Sequence, residues 1–229
     1  MLALLVGGAL GTAPAHAASE DYVLDPVHTR VMFAVEHAGF SKAIGTLSGS
    51  TGSLSFDPED WSTARVDVSI PLRQTELGDA KWNRATLGGS LLDAQRFPDA
   101  RFVSTRVEPV DEKRARVVGD LTLRGVTREI TLDVVFNVVK RHPLPPFRRT
   151  AGFSATTAIK RSDFGISAWK SMIGDEVELR MEVEAVRGQA DPAPAAEPAP
   201  ADAQADEAAD AADAALAQPD AEPALEPAP

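Results

Sequence analysis

Gly119-Asp120-Leu121-Thr122-Leu123-Arg124-Gly125-Val126-Thr127-Arg128-Glu129-Ile130-Thr131-Leu132-Asp133-Val134-Val135-Phe136 decides how the rest of the chain is read. Leu121 and Leu123 alternate with polar neighbours, and so do Val126, Ile130, Leu132 and Val134. A period of two places every second side chain on the same face of a sheet. Arg124-Gly125, at the centre, signals a turn, because glycine reaches backbone angles that other residues avoid. The stretch therefore reads as a long antiparallel hairpin with one apolar face and one wet face.

The same alternation recurs on both sides of it. Val31, Phe33 and Val35 form one row near the N-terminus, and Val66, Val68, Ile70 and Leu72 form another. Between them, Ile44 to Phe56 carries Leu47, Leu54 and Phe56 among Gly45, Gly49 and Gly52, glycines that mark bends or bulges in a strand. Further strands are expected over Phe102 to Val107, over Phe153 to Ile159, and over Val177 to Ala185. Only Leu77 to Leu92 breaks the pattern, and it reads as one helical or irregular segment that ends before Phe97-Pro98. The fold class is all-β, with about eight antiparallel strands and short connections. A lipocalin-like up-and-down barrel satisfies that pattern and leaves no exposed edge.

The two ends differ from the body. Residues 2–10 are an apolar run too short to span a bilayer, and Ala15-His16-Ala17 after it is a small-x-small cleavage pattern. Residues 1–17 thus read as a secretory signal peptide, 18–187 as the barrel domain, and the expected location is the periplasm. From Gly188 the composition turns to Ala, Pro, Asp and Glu, so 188–229 read as a disordered tail. No other apolar run is long enough for a transmembrane segment. The formal charge of −11 sits largely in that tail, whose ten acids have no Lys or Arg beside them, leaving the body at −1. A nearly neutral body gives no footprint for a nucleic-acid partner.

Chemistry is sparse. The absence of cysteine excludes disulfides, thiolate metal sites and thiol nucleophiles. No Gly-x-Ser-x-Gly elbow and no glycine-rich phosphate loop is present, so catalytic residues are not expected and the chain does not read as an enzyme. Asp25, His28 and His37 could be imagined around a metal. On one regular strand, however, His28 and His37 have opposite parity, and no metal site is expected. His28 instead reads as a hydrogen-bonding residue at the start of the first strand.

Taken together, several short motifs resemble those of the YceI-like family of secreted bacterial polyisoprenoid-binding proteins. They are Asp25-Pro26-Val27-His28-Thr29; Phe33, Val35 and His37; Gly45 and Gly52; Phe97-Pro98 with Phe102; Gly119 to Thr127; and Arg161-Ser162-Asp163-Phe164-Gly165. The likeness covers Tyr22 to Arg187. Where the family often has Arg-Asp-x-His-Leu before its Phe-Pro segment, this chain has Trp82-Asn83-Arg84-Ala85-Thr86-Leu87, so a polar ligand contact built on that motif is not expected.

The resemblance implies a barrel whose apolar lumen holds a long isoprenoid chain, a polyprenyl lipid or a quinone tail, as ligand rather than cofactor. The expected lining is Phe33, Val35, Leu54, Phe56, Val66, Val68, Ile70, Phe102, Leu121, Leu132, Val134, Phe153, Leu179 and Met181. His37, Arg84 and Arg161 are candidates to meet a polar head group. A homodimer is compatible with this reading. The alternative is an envelope stress or interaction protein whose barrel is packed solid, because the same residue types fill a barrel or line one.

Overall fold

The computed structural model describes residues 19–188; the signal peptide expected at 1–17 and the tail expected beyond Gly188 lie outside the described residues. Eleven strand segments and one helix follow in order: β1 (Glu20–Leu24), β2 (Arg30–His37), β3 (Ser41–Leu47), β4 (Thr51–Phe56), β5 (Arg65–Pro71), β6 (Thr75–Glu76), α1 (Ala80–Leu87), β7 (Asp99–Pro109), β8 (Arg114–Leu123), β9 (Val126–Arg141), β10 (Arg149–Lys160) and β11 (Ile173–Arg187). Every pairing is antiparallel. The ring β1–β4–β5–β7–β8–β9–β10–β11 closes back on β1, which makes an eight-stranded barrel.

The count of eleven against the expected eight has a simple cause. Three of the barrel's strands are broken by a kink at the same level. β1 and β2 both pair with β11, β4 and β3 pair with β1 and β2 respectively, and β5 and β6 pair with β4 and β3. Residues 25–29, 48–50 and 72–74 are the three interruptions. At the second, Gly49 takes φ +75°, a left-handed conformation that residues with a Cβ adopt only at a cost.

The first kink is built by Asp25. Its Oδ1 accepts the amides of Val27 at 2.8 Å and His28 at 3.3 Å, and its Oδ2 lies 2.7 Å from Nδ1 of His28. Thr29, buried, donates its hydroxyl to the Glu184 carbonyl at 3.2 Å. The ligand-type atoms of Asp25, His28 and Glu184 lie within 4.8 Å of one another. The trio includes Glu184 rather than His37; the direct hydrogen bond joins Asp25 to His28, and the Asp25 amide donating to the Glu184 carbonyl at 2.8 Å brings the third residue alongside.

That bond makes a pH prediction. Hydrogen bonding to Asp25, with its charge, raises the His28 pKa above 6.5. Burial pushes the Asp25 carboxyl up, but the His28 ring and the Val27 and His28 amides outweigh it and hold the carboxyl below its ordinary value. The His28 contribution is therefore complete below the unfolded imidazole value and lost as pH rises through the raised folded one. The Asp25 contribution is complete above the unfolded carboxyl value and lost as pH falls through the lowered one. The pair stabilises the kink most between about pH 4 and 6.5. The difference in melting temperature between the native chain and His28→Ala is expected to be largest in that window and to shrink as pH rises through the raised His28 value.

The hairpin that opened the sequence reading is the β8–β9 pair, longer than expected, with Leu123 opposite Val126. Its two-residue turn has φ +50° at Arg124 and φ +72° at Gly125, the backbone of the turn type that matches strand twist. Below it the core is continuous and apolar. The outer face carries ion pairs such as Arg101 to Asp67, whose exposure makes each worth little for stability.

Candidate functional site

The lumen is best described from its closed end. There Phe56 at the end of β4, Trp61 in a short 3-10 turn, Phe136 on β9 and Phe153 on β10 pack against one another. Their ring centroids lie 5.2–5.8 Å apart, with edge-on and tilted geometries. Such arrangements set the positive ring edges against the negative faces. Trp61 donates its indole N–H to the Pro58 carbonyl at 3.2 Å, so the polar end of the ring is satisfied. Beside them Tyr22 is fully buried and donates its hydroxyl to Glu20, which Arg149 holds at 2.9 Å. This end is filled.

Above the aromatic base the strands of the wall differ in burial. On β7 and β8 the inward residues Ala100, Phe102, Ala115, Val117 and Leu121 are buried. On β2, β9 and β11 most inward residues are only half-buried although they pack against the core, Val31 and Ala185 being the buried exceptions. Phe33, Ile130, Leu132, Val134, Val177, Leu179, Met181 and Val183 all keep accessible surface. Small residues stand beside them: Val134 stands in register between Ala115 on β8 and Ala155 on β10. Gly45 is required as well, since a Cβ there would lie 2.3 Å from the Phe33 ring.

The opposite end is covered in part by α1 and the segment after it. Asp79 caps the helix, accepting the amides of Lys81 at 2.9 Å and Trp82 at 3.1 Å. Such a cap satisfies amides that have no partner within the helix. Leu87, Leu91 and Leu92 then fold down on the core. Arg124 ties this cover to its neighbours, donating Nη1 to the Gly165 carbonyl at 2.8 Å and Nη2 to the Gly89 carbonyl at 2.7 Å. At the rim, His37 ends the inward row of β2, and its ring lies 5.2 Å from that of Trp82.

The structure places the expected lining residues as follows. Phe33, Leu54, Phe56, Val66, Ile70, Phe102, Leu121, Leu132, Val134, Phe153, Leu179 and Met181 belong to one apolar cluster. Within it Phe56 and Phe153 are part of the filled base rather than the accessible wall. Val35 stands opposite Val177 and Val68 opposite Phe102, on the same inward rows. Of the head-group candidates, His37 and Arg84 lie at the rim, with Arg84 exposed in the last turn of α1.

Arg161 needs correction. It is 6% exposed, and its guanidinium donates to the carbonyls of Gly174, Ile166, Ala168 and Ile173 at 2.8–3.1 Å. Its donors are turned into the β10–β11 connection, where they order the loop and hold buried Phe164 and Ile166 in place, away from any head group.

Sequence reasoning passed over Arg128. It stands in register with Leu121, so it shares the lumen-side row of β9, yet it is exposed and makes no ion pair among the described residues. The signal was present: a charge interrupting the row Val126, Ile130, Leu132, Val134. A depression of about 430 Å³, lined in part by Ser53, Ser55, Arg65, Asp67 and Val103, lies over the outward-facing rows of β4, β5 and β7, on the other side of the wall.

A sequence profile of the YceI-like domain matches residues 22–185, all but the outermost residues of this barrel. The chain belongs to the YceI-like family. A UPF0312 protein of Shewanella sp. strain ANA-3 is 32% identical over 189 residues, covering 82% of this chain and 97% of that protein. Two solved structures share the fold. BcnA of Burkholderia cenocepacia superposes with a TM-score of 0.63 at 24% identity, covering 70% of this chain and 98% of its own. A polyisoprenoid binding domain from Saccharophagus degradans, implicated in plant cell wall breakdown, gives 0.56 at 15% identity over 73% and 98%. Among the described residues of this YceI-like chain, no helix is long and apolar enough to cross a membrane.

Proposed function

We propose that this YceI-like domain binds the isoprenoid tail of a lipid, a polyprenyl chain or a quinone tail, inside its barrel. It does so in the periplasm, as a carrier rather than a catalyst. One observation carries the reading: the inward apolar rows of β2, β9 and β11 keep accessible surface between an aromatic base and a helix-covered rim. A barrel packed solid throughout would bury those rows, so the accessible wall favours a ligand over the packed-barrel alternative. The polyisoprenoid-binding domain with the same fold supports the ligand class.

The energetics suit a long unbranched or methyl-branched chain. Each methylene withdrawn from water contributes about 0.8 kcal/mol, so affinity grows with the length inserted and few polar contacts are needed. His37, Arg84 and Arg128, at the rim and on the β9 row, are the groups available to a head group. Export by the leader at residues 1–17 is what delivers the domain to the compartment.

The test is extraction of the purified protein with organic solvent, followed by mass spectrometry, before and after incubation with a long-chain quinone. A prenyl lipid in about one-to-one ratio is the expected result. Protein that carries none in either sample overturns the proposal.

A further inference from the structure

The described residues expose four large apolar side chains on the rim. Phe40 is 91% exposed, Trp82 44%, Trp169 45% and Met172 46%. They come from three separate segments, the β2–β3 turn, α1 and the β10–β11 connection, and backbone contacts join them. The Phe40 amide donates to the His37 carbonyl at 3.1 Å, Ala38 to Met172 at 2.7 Å, and Met172 to Trp169 at 2.9 Å. The His37 ring packs on that of Trp82, completing the chain of contacts.

Two of these loops are held in an unfavourable backbone conformation. Ala38 has φ +53° and Trp169 φ +57°, in the left-handed region that residues with a Cβ usually avoid. The hydrogen bonds just named fix both turns, so the display of Phe40 and Trp169 is a built feature of the loops.

Cations stand among these side chains. Lys81 and Arg84 flank Trp82 on the helix, and Lys170 follows Trp169; all three are exposed and none has an ion-pair partner among the described residues. Three carboxylates also stand nearby and keep their charge: Asp79 caps the helix, Glu76 accepts from Gly78 and Asn83, and Asp175 accepts from Ser162. Exposed tryptophan and phenylalanine interleaved with lysine and arginine suit the boundary between hydrocarbon and anionic head groups.

We propose that this end of the barrel docks on the surface of an anionic phospholipid bilayer. The apolar patch is continuous with the lumen through His37, the last inward residue of β2 beside Trp82. Docking sets the lumen against the bilayer, so an apolar chain can pass between them without crossing water. The docking itself goes beyond the isoprenoid reading and does not depend on it, because the surface exists whatever the barrel holds.

Vesicles free of isoprenoid separate the two. The full chain is mixed with phosphatidylglycerol–phosphatidylcholine vesicles or with phosphatidylcholine alone, and binding is read by co-sedimentation and tryptophan emission. Trp61 is buried, so a blue shift reports Trp82 and Trp169. Binding to the anionic vesicles is expected to be about ten-fold stronger than to the neutral ones and to weaken in high salt. Phe40→Ser with Trp169→Ser is expected to lower it about ten-fold at an unchanged circular-dichroism melting curve. Lys81→Glu with Lys170→Glu, which leaves the apolar side chains in place, is expected to abolish the preference for anionic vesicles. Absence of binding to either vesicle, or binding indifferent to both double variants, overturns the proposal. So does a dimer in sedimentation velocity that the Phe40 and Trp169 changes dissolve, since the face would then be a surface for a second copy.

Discussion

Phe56→Ala is expected to lower the unfolding free energy by about 3–5 kcal/mol, the range for deleting a large buried aromatic side chain. Phe56 is 1% exposed and touches the rings of Trp61, Phe136 and Phe153 at once. Removing it leaves three rings facing a void that β4, β9 and β10 cannot close, because each strand is fixed in register by its neighbours. Chemical denaturation of the two proteins measures the difference. A loss under about 1 kcal/mol would mean that the base rearranges freely and does not seal the lumen.

The second large effect concerns binding. Val134→Trp is expected to reduce retention of a long-chain quinone by more than about ten-fold while the barrel still melts cooperatively. Val134 is half-buried, faces the lumen, and has alanines on either side, so an indole can extend into the space above the base. The two substitutions separate the roles of the wall: one removes packing that exists, the other fills room that a ligand would use. Quinone extraction with mass spectrometry, run beside a thermal melt, reads both. Undiminished retention would place the ligand elsewhere.

Much of the barrel was legible because a half-buried sheet writes its faces into alternate residues. Val66, Val68 and Ile70, or Val177, Leu179 and Met181, announce a strand and its inward side without help. Glycines announced bends, and Gly49 does sit at a kink. The coincidence of the three kinks was not legible, because it depends on register between strands, which no single strand records. Arg161 was misread for a related reason. A lone arginine in a loop looks like a surface cation, and only the fold brings four carbonyls around its guanidinium. Arg128 was visible as a charge on an apolar row, but its meaning rests on the partner strand, where Leu121 shows which side it faces. The sides of the lumen that stay accessible also lay beyond the sequence, since a filled barrel and a hollow one share their composition.

The pairing of β11 with β1, Tyr22 opposite Arg187, has a consequence for how the molecule comes together. Every other seam in the ring joins strands or kinked strands that follow one another along the chain, so hairpins can form as soon as their residues are available. This seam alone joins the first strand to the last, and the loop it closes is almost the entire domain. Non-local closure of that kind is slow compared with local hairpins, because the entropy is lost before the contacts are gained. A chain delivered N-terminus first therefore holds an open curved sheet with two free edges until β11 arrives. During that interval the apolar inner face has no opposite wall, and the molecule depends most on not meeting a copy of itself.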